Sequence, residues 1–182
     1  MGENTIYGNG INQEDLVGLM ITVDDAWEDL LEKLDADTQL TANNYESTLD
    51  ITWPSGVQTV NPYAIRDWGQ VWDWFLALAK AYNDLLAKLD TDALAGLDND
   101  YEATLAIGAA ETGYASLGVQ ANAWYQGSLV YYTDLFITKF NLLLAKLDAD
   151  PLDASDYVSS LALTDTVDAS GTEGNPLSHG GY

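Results

Sequence analysis

The amino-acid sequence predicts an all-α fold, a three-repeat helical bundle in which each repeat is a long helix plus a short capped turn, with irregular N- and C-terminal arms. Three observations carry that expectation. An eleven-residue phrase occurs three times, at 27–37, 82–92 and 140–150, each copy reading aromatic, two residues, Leu-Leu, one residue, Lys-Leu-Asp-x-Asp. After a short polar gap each copy is followed by a related patch: Tyr45-Glu46-Ser47-Thr48-Leu49, Tyr101-Glu102-Ala103-Thr104-Leu105 and Tyr157-Val158-Ser159-Ser160-Leu161. Upstream, apolar residues recur at steps of three and four, which places them on one face of a helix.

The domain so defined spans 14–163, with repeats at about 14–50, 62–106 and 121–163. Residues 1–13 hold Gly2, Gly8 and Gly10 among Asn4, Asn9 and Asn12 and read as an arm without a core of its own. In the first repeat Leu16, Leu19, Val23, Trp27, Leu30 and Leu34 form the apolar stripe. Shifting by 55 gives Val71, Trp74, Leu78, Tyr82, Leu85 and Leu89, and shifting by 113 gives Leu129, Tyr132, Phe136, Phe140, Leu143 and Leu147. The second helix also fits a seam of strict 3-4 alternation through Ile65, Trp68, Trp72, Phe75, Ala79, Tyr82, Leu86 and Leu89, which predicts a central helix flanked by the other two.

Lys33, Lys88 and Lys146 are expected to close their helices, since a cation in the last turn complements the negative helix end. Pro151 marks a stop after the third. Asn43 with Glu46 and Asn99 with Glu102 have capping-box spacing ahead of the Tyr patches, and Ser155 is the cap candidate of the third. Residues 51–62 form a turn-rich connection, and Pro62 is placed to open the second long helix. Residues 106–127 are Ala- and Gly-rich and expected to be partly helical, and 164–182 read as a flexible tail.

Composition narrows the function classes. The formal charge is −23, from 29 acids against six cations, and half of those cations are the motif lysines. Phosphate backbones and anionic membranes repel such a surface, so no nucleic-acid or membrane partner is expected. No apolar run is long enough to cross a bilayer, and there is no basic-then-apolar leader. The absence of cysteine removes thiol nucleophiles and zinc–thiolate sites. His179, the lone histidine, sits in the Gly-rich tail without partners for a nucleophilic triad.

Two other chemistries are open. Asp35 and Asp37, Asp90 and Asp92, and Asp148 and Asp150 resemble the start of a calcium loop, with Glu46 at the twelfth position from Asp35. Leu40, however, occupies the position that needs glycine, and Tyr101 and Ser159 replace the bidentate acid in the other copies, so helix termination is the preferred reading. Trp68, Trp72, Trp74, Trp124, Tyr125, Tyr131 and Tyr132 suit a stacking surface, but several fall on core faces. With 29 acids some pair always lies at a catalytic separation, so a paired-carboxylate hydrolase has no specific support. No catalytic, cofactor-binding or metal-ligating residue is assigned.

The Leu-Leu-x-Lys-Leu-Asp-x-Asp phrase followed by Tyr-x-x-Thr-Leu, clearest from Leu85 to Leu105, resembles structural proteins of tailed-bacteriophage virions that carry repeated LLAKLDAD…DYxxTL segments. The likeness covers about 70 of 182 residues, and the third copy lacks the Thr-Leu ending. It implies a non-enzymatic virion protein, made in the host cytoplasm and placed on the outer surface of the particle. The leading expectation is a capsid decoration or cement protein, homo-oligomeric and bound to the major capsid protein or other virion proteins. A neck, head-fibre or tail component is the alternative, and a calcium-dependent binding or adhesion module the alternative of another class.

Overall fold

A computed structural model describes residues 13–52, 68–108 and 122–163, and they are helical without any strand. Three long helices, α1 (Gln13–Ala36), α3 (Trp68–Asp90) and α5 (Asn122–Ala149), alternate with three five-residue helices, α2 (Tyr45–Leu49), α4 (Tyr101–Leu105) and α6 (Tyr157–Leu161). The fold is all-α, as the periodicity predicts. The arms at 1–12 and 164–182, the connection with Pro62 and Ile65, and most of 106–127 lie outside the described residues.

Of the eighteen stripe positions, Leu16 and Leu129 have side chains outside the described set, and every other one is buried. The stripe is only half of the core. Met20, Phe75 and Thr133 form an equivalent buried set, as do Leu31, Leu86 and Leu144. The second seam therefore belongs to all three long helices, and the expectation of a central α3 is corrected. The three repeats close a ring through their short helices, α3 against α2, α1 against α6 and α5 against α4, and it is α5 that also packs directly on both other long helices. The aromatic residues interlock there: Tyr82 meets Phe136 edge-on at 5.4 Å and Trp72 meets Tyr132 at 5.6 Å between ring centroids.

Each short helix folds back on its own long helix. In the second and third repeats an asparagine on the long helix imitates a backbone pairing. Asn83 Nδ2 donates to the Ile107 carbonyl and its Oδ1 accepts the Ile107 N–H, both at 2.9 Å. Asn141 does the same with Leu163 at 2.7 and 2.9 Å. The first repeat has Glu28 at this position, which has no amide to donate, and Trp27 Nε1 donates instead to the Leu49 carbonyl at 3.3 Å.

The capping boxes are also corrected. The residues preceding the short helices are Asn44, Asp100 and Asp156, and none makes a side-chain cap hydrogen bond. The first aspartate of each motif takes that role from the end of the long helix. Asp35 accepts the N–H groups of Tyr45 and Glu46 at 2.6 and 3.1 Å. Asp90 accepts those of Tyr101 and Glu102 at 2.7 and 2.9 Å, and Asp148 those of Tyr157 and Val158 at 2.6 and 3.0 Å. A carboxylate has two oxygens, and the first turn of a helix has consecutive N–H groups without intrahelical partners.

Candidate functional site

The polar residues of the motif meet the neighbouring repeat, always in the same sense. Asp37 accepts N–H groups from Asp153 and Ala154 in the third repeat, at 3.0 and 3.2 Å. Asp92 accepts those of Thr41 and Ala42 in the first, at 3.0 and 3.2 Å. Asp150 accepts the Asp98 N–H in the second at 3.4 Å and the hydroxyl of Tyr101. First to third, third to second and second to first, the three contacts close a ring.

The lysines follow the same circuit. Lys33 lies 5.0 Å from the centroid of the Tyr157 ring and pairs with Asp156 at 2.5 Å. Lys88 lies 4.1 Å from the Tyr45 ring and donates to Asn44 Oδ1 at 2.5 Å. Lys146 lies 4.8 Å from the Tyr101 ring and pairs with Asp98 at 2.8 Å and with Asp100. These residues sit in the last turns of their helices, as expected, but they also hold the short helix of the next repeat, Lys33 and Lys146 by ring and carboxylate together and Lys88 by ring and the Asn44 amide oxygen. The difference in partner has an electrostatic consequence. Burial lowers the Lys88 pKa, with Asp35 only partly opposing it. Burial also works against the charge on Lys146, but Asp100 and Asp98 outweigh it and raise its pKa.

The Asp-x-Asp pairs thus have a structural use. Burial works against the Asp92 charge, yet the N–H of Leu94, the N–H and hydroxyl of Thr41 and the N–H of Ala42 hold its carboxyl below the usual carboxylate range. Among the described residues no group of three or more His, Asp or Glu side chains is placed to hold a metal ion. No described helix is long and apolar enough to cross a membrane. Trp72, Trp74 and Tyr132 are buried in the core, whereas the side chains of Trp68, Trp124, Tyr125 and Tyr131 and all of His179 lie outside the described residues.

What differs between the repeats is the outer groove between long and short helix. In the first repeat it is lined by Glu28, Asp29, Glu32, Glu46 and Asp50. Burial, then the charges of Asp50, Asp25, Asp29 and Glu46, push the Glu28 carboxyl above its ordinary value. The equivalent positions are Asn83, Asp84, Ala87, Glu102 and Ala106 in the second repeat, and Asn141, Leu142, Ala145, Val158 and Ala162 in the third. Five acids become two and then none. Among the described residues, Leu142 and Val158 are the large hydrophobic residues left exposed, at 51% and 40% of their surface. Neither stands out when the repeats are aligned on their apolar positions alone. The signal that finds them lies in the polar faces of the three copies.

No protein-family model, curated protein or solved structure matches the chain.

Proposed function

We propose that the protein is a non-enzymatic structural component of a tailed-phage virion, decorating or cementing the outer capsid by contact with the major capsid protein or other virion proteins. One observation carries the reading: the repeated polar residues are spent on rigidity. Each motif lysine, both motif aspartates and the patch tyrosine hold one repeat to itself or to the next, so the phrase resembling virion proteins builds a scaffold. The acidic exterior supports placement away from packaged DNA, which a −23 chain would be poorly suited to meet. The calcium-dependent alternative loses support, because the oxygens it would recruit already accept N–H groups.

Quantitative mass spectrometry of purified particles, scaled to the major capsid protein, tests the proposal. Hundreds of copies per particle are expected. A few to a few tens would move the protein to the neck, a fibre or the tail, and its absence would end the virion reading.

A further inference from the structure

The outward stripes of the three long helices occupy equivalent positions and carry very different charge. On α1 the stripe runs Asp25, Asp29, Glu32, Ala36, and on α3 and the turn after it the stripe runs Lys80, Asp84, Ala87, Thr91. On α5 the same positions are Thr138, Leu142, Ala145 and Ala149, all exposed and all uncharged. Val158 and Ala162 of the third repeat extend that surface across the groove, where the first repeat has Glu46 and Asp50. Apolar residues on its outer as well as its inner face make α5 the least amphipathic of the three long helices.

We propose that this face of the third repeat is where a second copy of the chain docks, α5 against α5 about a twofold axis. The pattern of charge selects the occupant. A basic partner would be held best by the acids that the first repeat keeps, and removing acids from one face alone would weaken its grip. Their removal suits an occupant that is itself strongly acidic, and a second −23 chain is one. A twofold contact sets the same patch against itself, so a face free of acids is free of like-charge pairs in the dimer, whereas the first repeat would oppose five acids to five. The alanines allow the two helices to approach closely, with Leu142 and Val158 as the anchors. The six side chains named here are far fewer than the roughly 20–30 residues a side of a standard interface, so the dimer is weak and concentration-dependent.

Sedimentation equilibrium of the purified full chain at low and high NaCl tests this. The dimer is expected to strengthen with salt, because screening relieves the repulsion between the acidic bodies while the apolar contact remains. L142D/V158E places at this face the residues that the fold already carries as Asp29 and Glu46, so folding is preserved and dimerisation should fall by at least about tenfold. A93E/A103D adds the same two charges at exposed positions of the second repeat and should still associate. A wild-type chain that is monomeric at every salt concentration overturns the proposal. So does an equal loss in both variants, or association that weakens with salt. If the wild-type chain is monomeric and only L142D/V158E loses binding to purified particles, the face belongs to a foreign partner and the second copy is ruled out. None of these outcomes bears on the copy number that tests the virion reading.

Discussion

Asp92 accepts the backbone N–H of Thr41 at 3.0 Å, from a residue that precedes it by 51 positions. The same carboxylate takes the Thr41 hydroxyl at 2.9 Å, the Ala42 N–H at 3.2 Å and the Leu94 N–H at 3.0 Å. One side chain thereby orders its own loop and the loop of the preceding repeat. Asp37 and Asp150 occupy the corresponding places in the other two junctions.

Asp92→Asn should therefore destabilise the fold by about 1.5–3 kcal/mol, since the amide keeps one acceptor oxygen and loses the charge. The sign with pH follows from a carboxyl held below its ordinary value. The contribution is full above the unfolded-state pKa and is lost as the pH falls through the folded-state value. Urea unfolding of both proteins at neutral pH and near pH 3 should show a gap that narrows in acid. A gap of constant size would place the effect elsewhere than on the charge.

Asp24 behaves in the opposite way. It is buried at a position equivalent to Ala79 and Ile137, and one carboxylate oxygen has no hydrogen-bond partner. Burial, together with the charge of Glu28, pushes its pKa up to about 6. For a raised carboxyl the native state is favoured while the group is protonated, so stability falls as the pH rises from about 4 through 6 and stays lower beyond. Asp24→Asn should stabilise the protein by about 1–3 kcal/mol at pH 7.5 and leave it unchanged near pH 3.5. Thermal melts at the two pH values decide it, and a variant less stable at pH 7.5 would give Asp24 a bonding role instead.

Much of this fold is legible in the sequence, and the reason is repetition. Leu30, Leu85 and Leu143 announce one buried face because the same spacing is written three times. The second seam through Met20, Phe75 and Thr133 is less legible, since a threonine at one of three positions breaks the apolar pattern. The lysines and aspartates are conspicuous as a motif, but their partners are not. A lysine ending its helix and a lysine reaching a tyrosine 124 residues away have the same local sequence, as Lys33 and Tyr157 show. Only closure of the three helices brings those groups together. The uncharged face of α5 is legible once Asp29, Asp84 and Leu142 are set side by side, because exposed positions reveal differences that core positions conceal.

Asn44 offers a test of the lysine circuit. It stands where the other repeats have Asp100 and Asp156, so Lys88 alone faces a neutral partner across the junction. Asn44→Asp should turn the Lys88 pKa upward from its lowered value and add a few tenths to about 1 kcal/mol, the range of a partly exposed ion pair. The gain should shrink with added salt. NMR titration of the lysine side chain measures the first effect and chemical denaturation the second. A Lys88 pKa that stays put would mean that the introduced carboxylate points away from the junction.

The ring itself predicts how the molecule responds to losing a repeat. In an open stack each unit touches only its neighbours, and removing the last leaves the others folded. Here Lys33 and Asp37 of the first repeat bond to the third, and Lys146 and Asp150 of the third bond to the second. Deleting the third repeat exposes the apolar surfaces of α1 and α3 that pack on α5 and leaves Asp37 without the N–H groups of Asp153 and Ala154. A chain ending before residue 122 should accordingly lose cooperative unfolding and the dispersed amide spectrum of a packed core, and the intact chain should unfold in one transition by circular dichroism and by tryptophan fluorescence. A truncated chain that melts cooperatively would show the repeats to be separable units and the closing contacts to be incidental to stability.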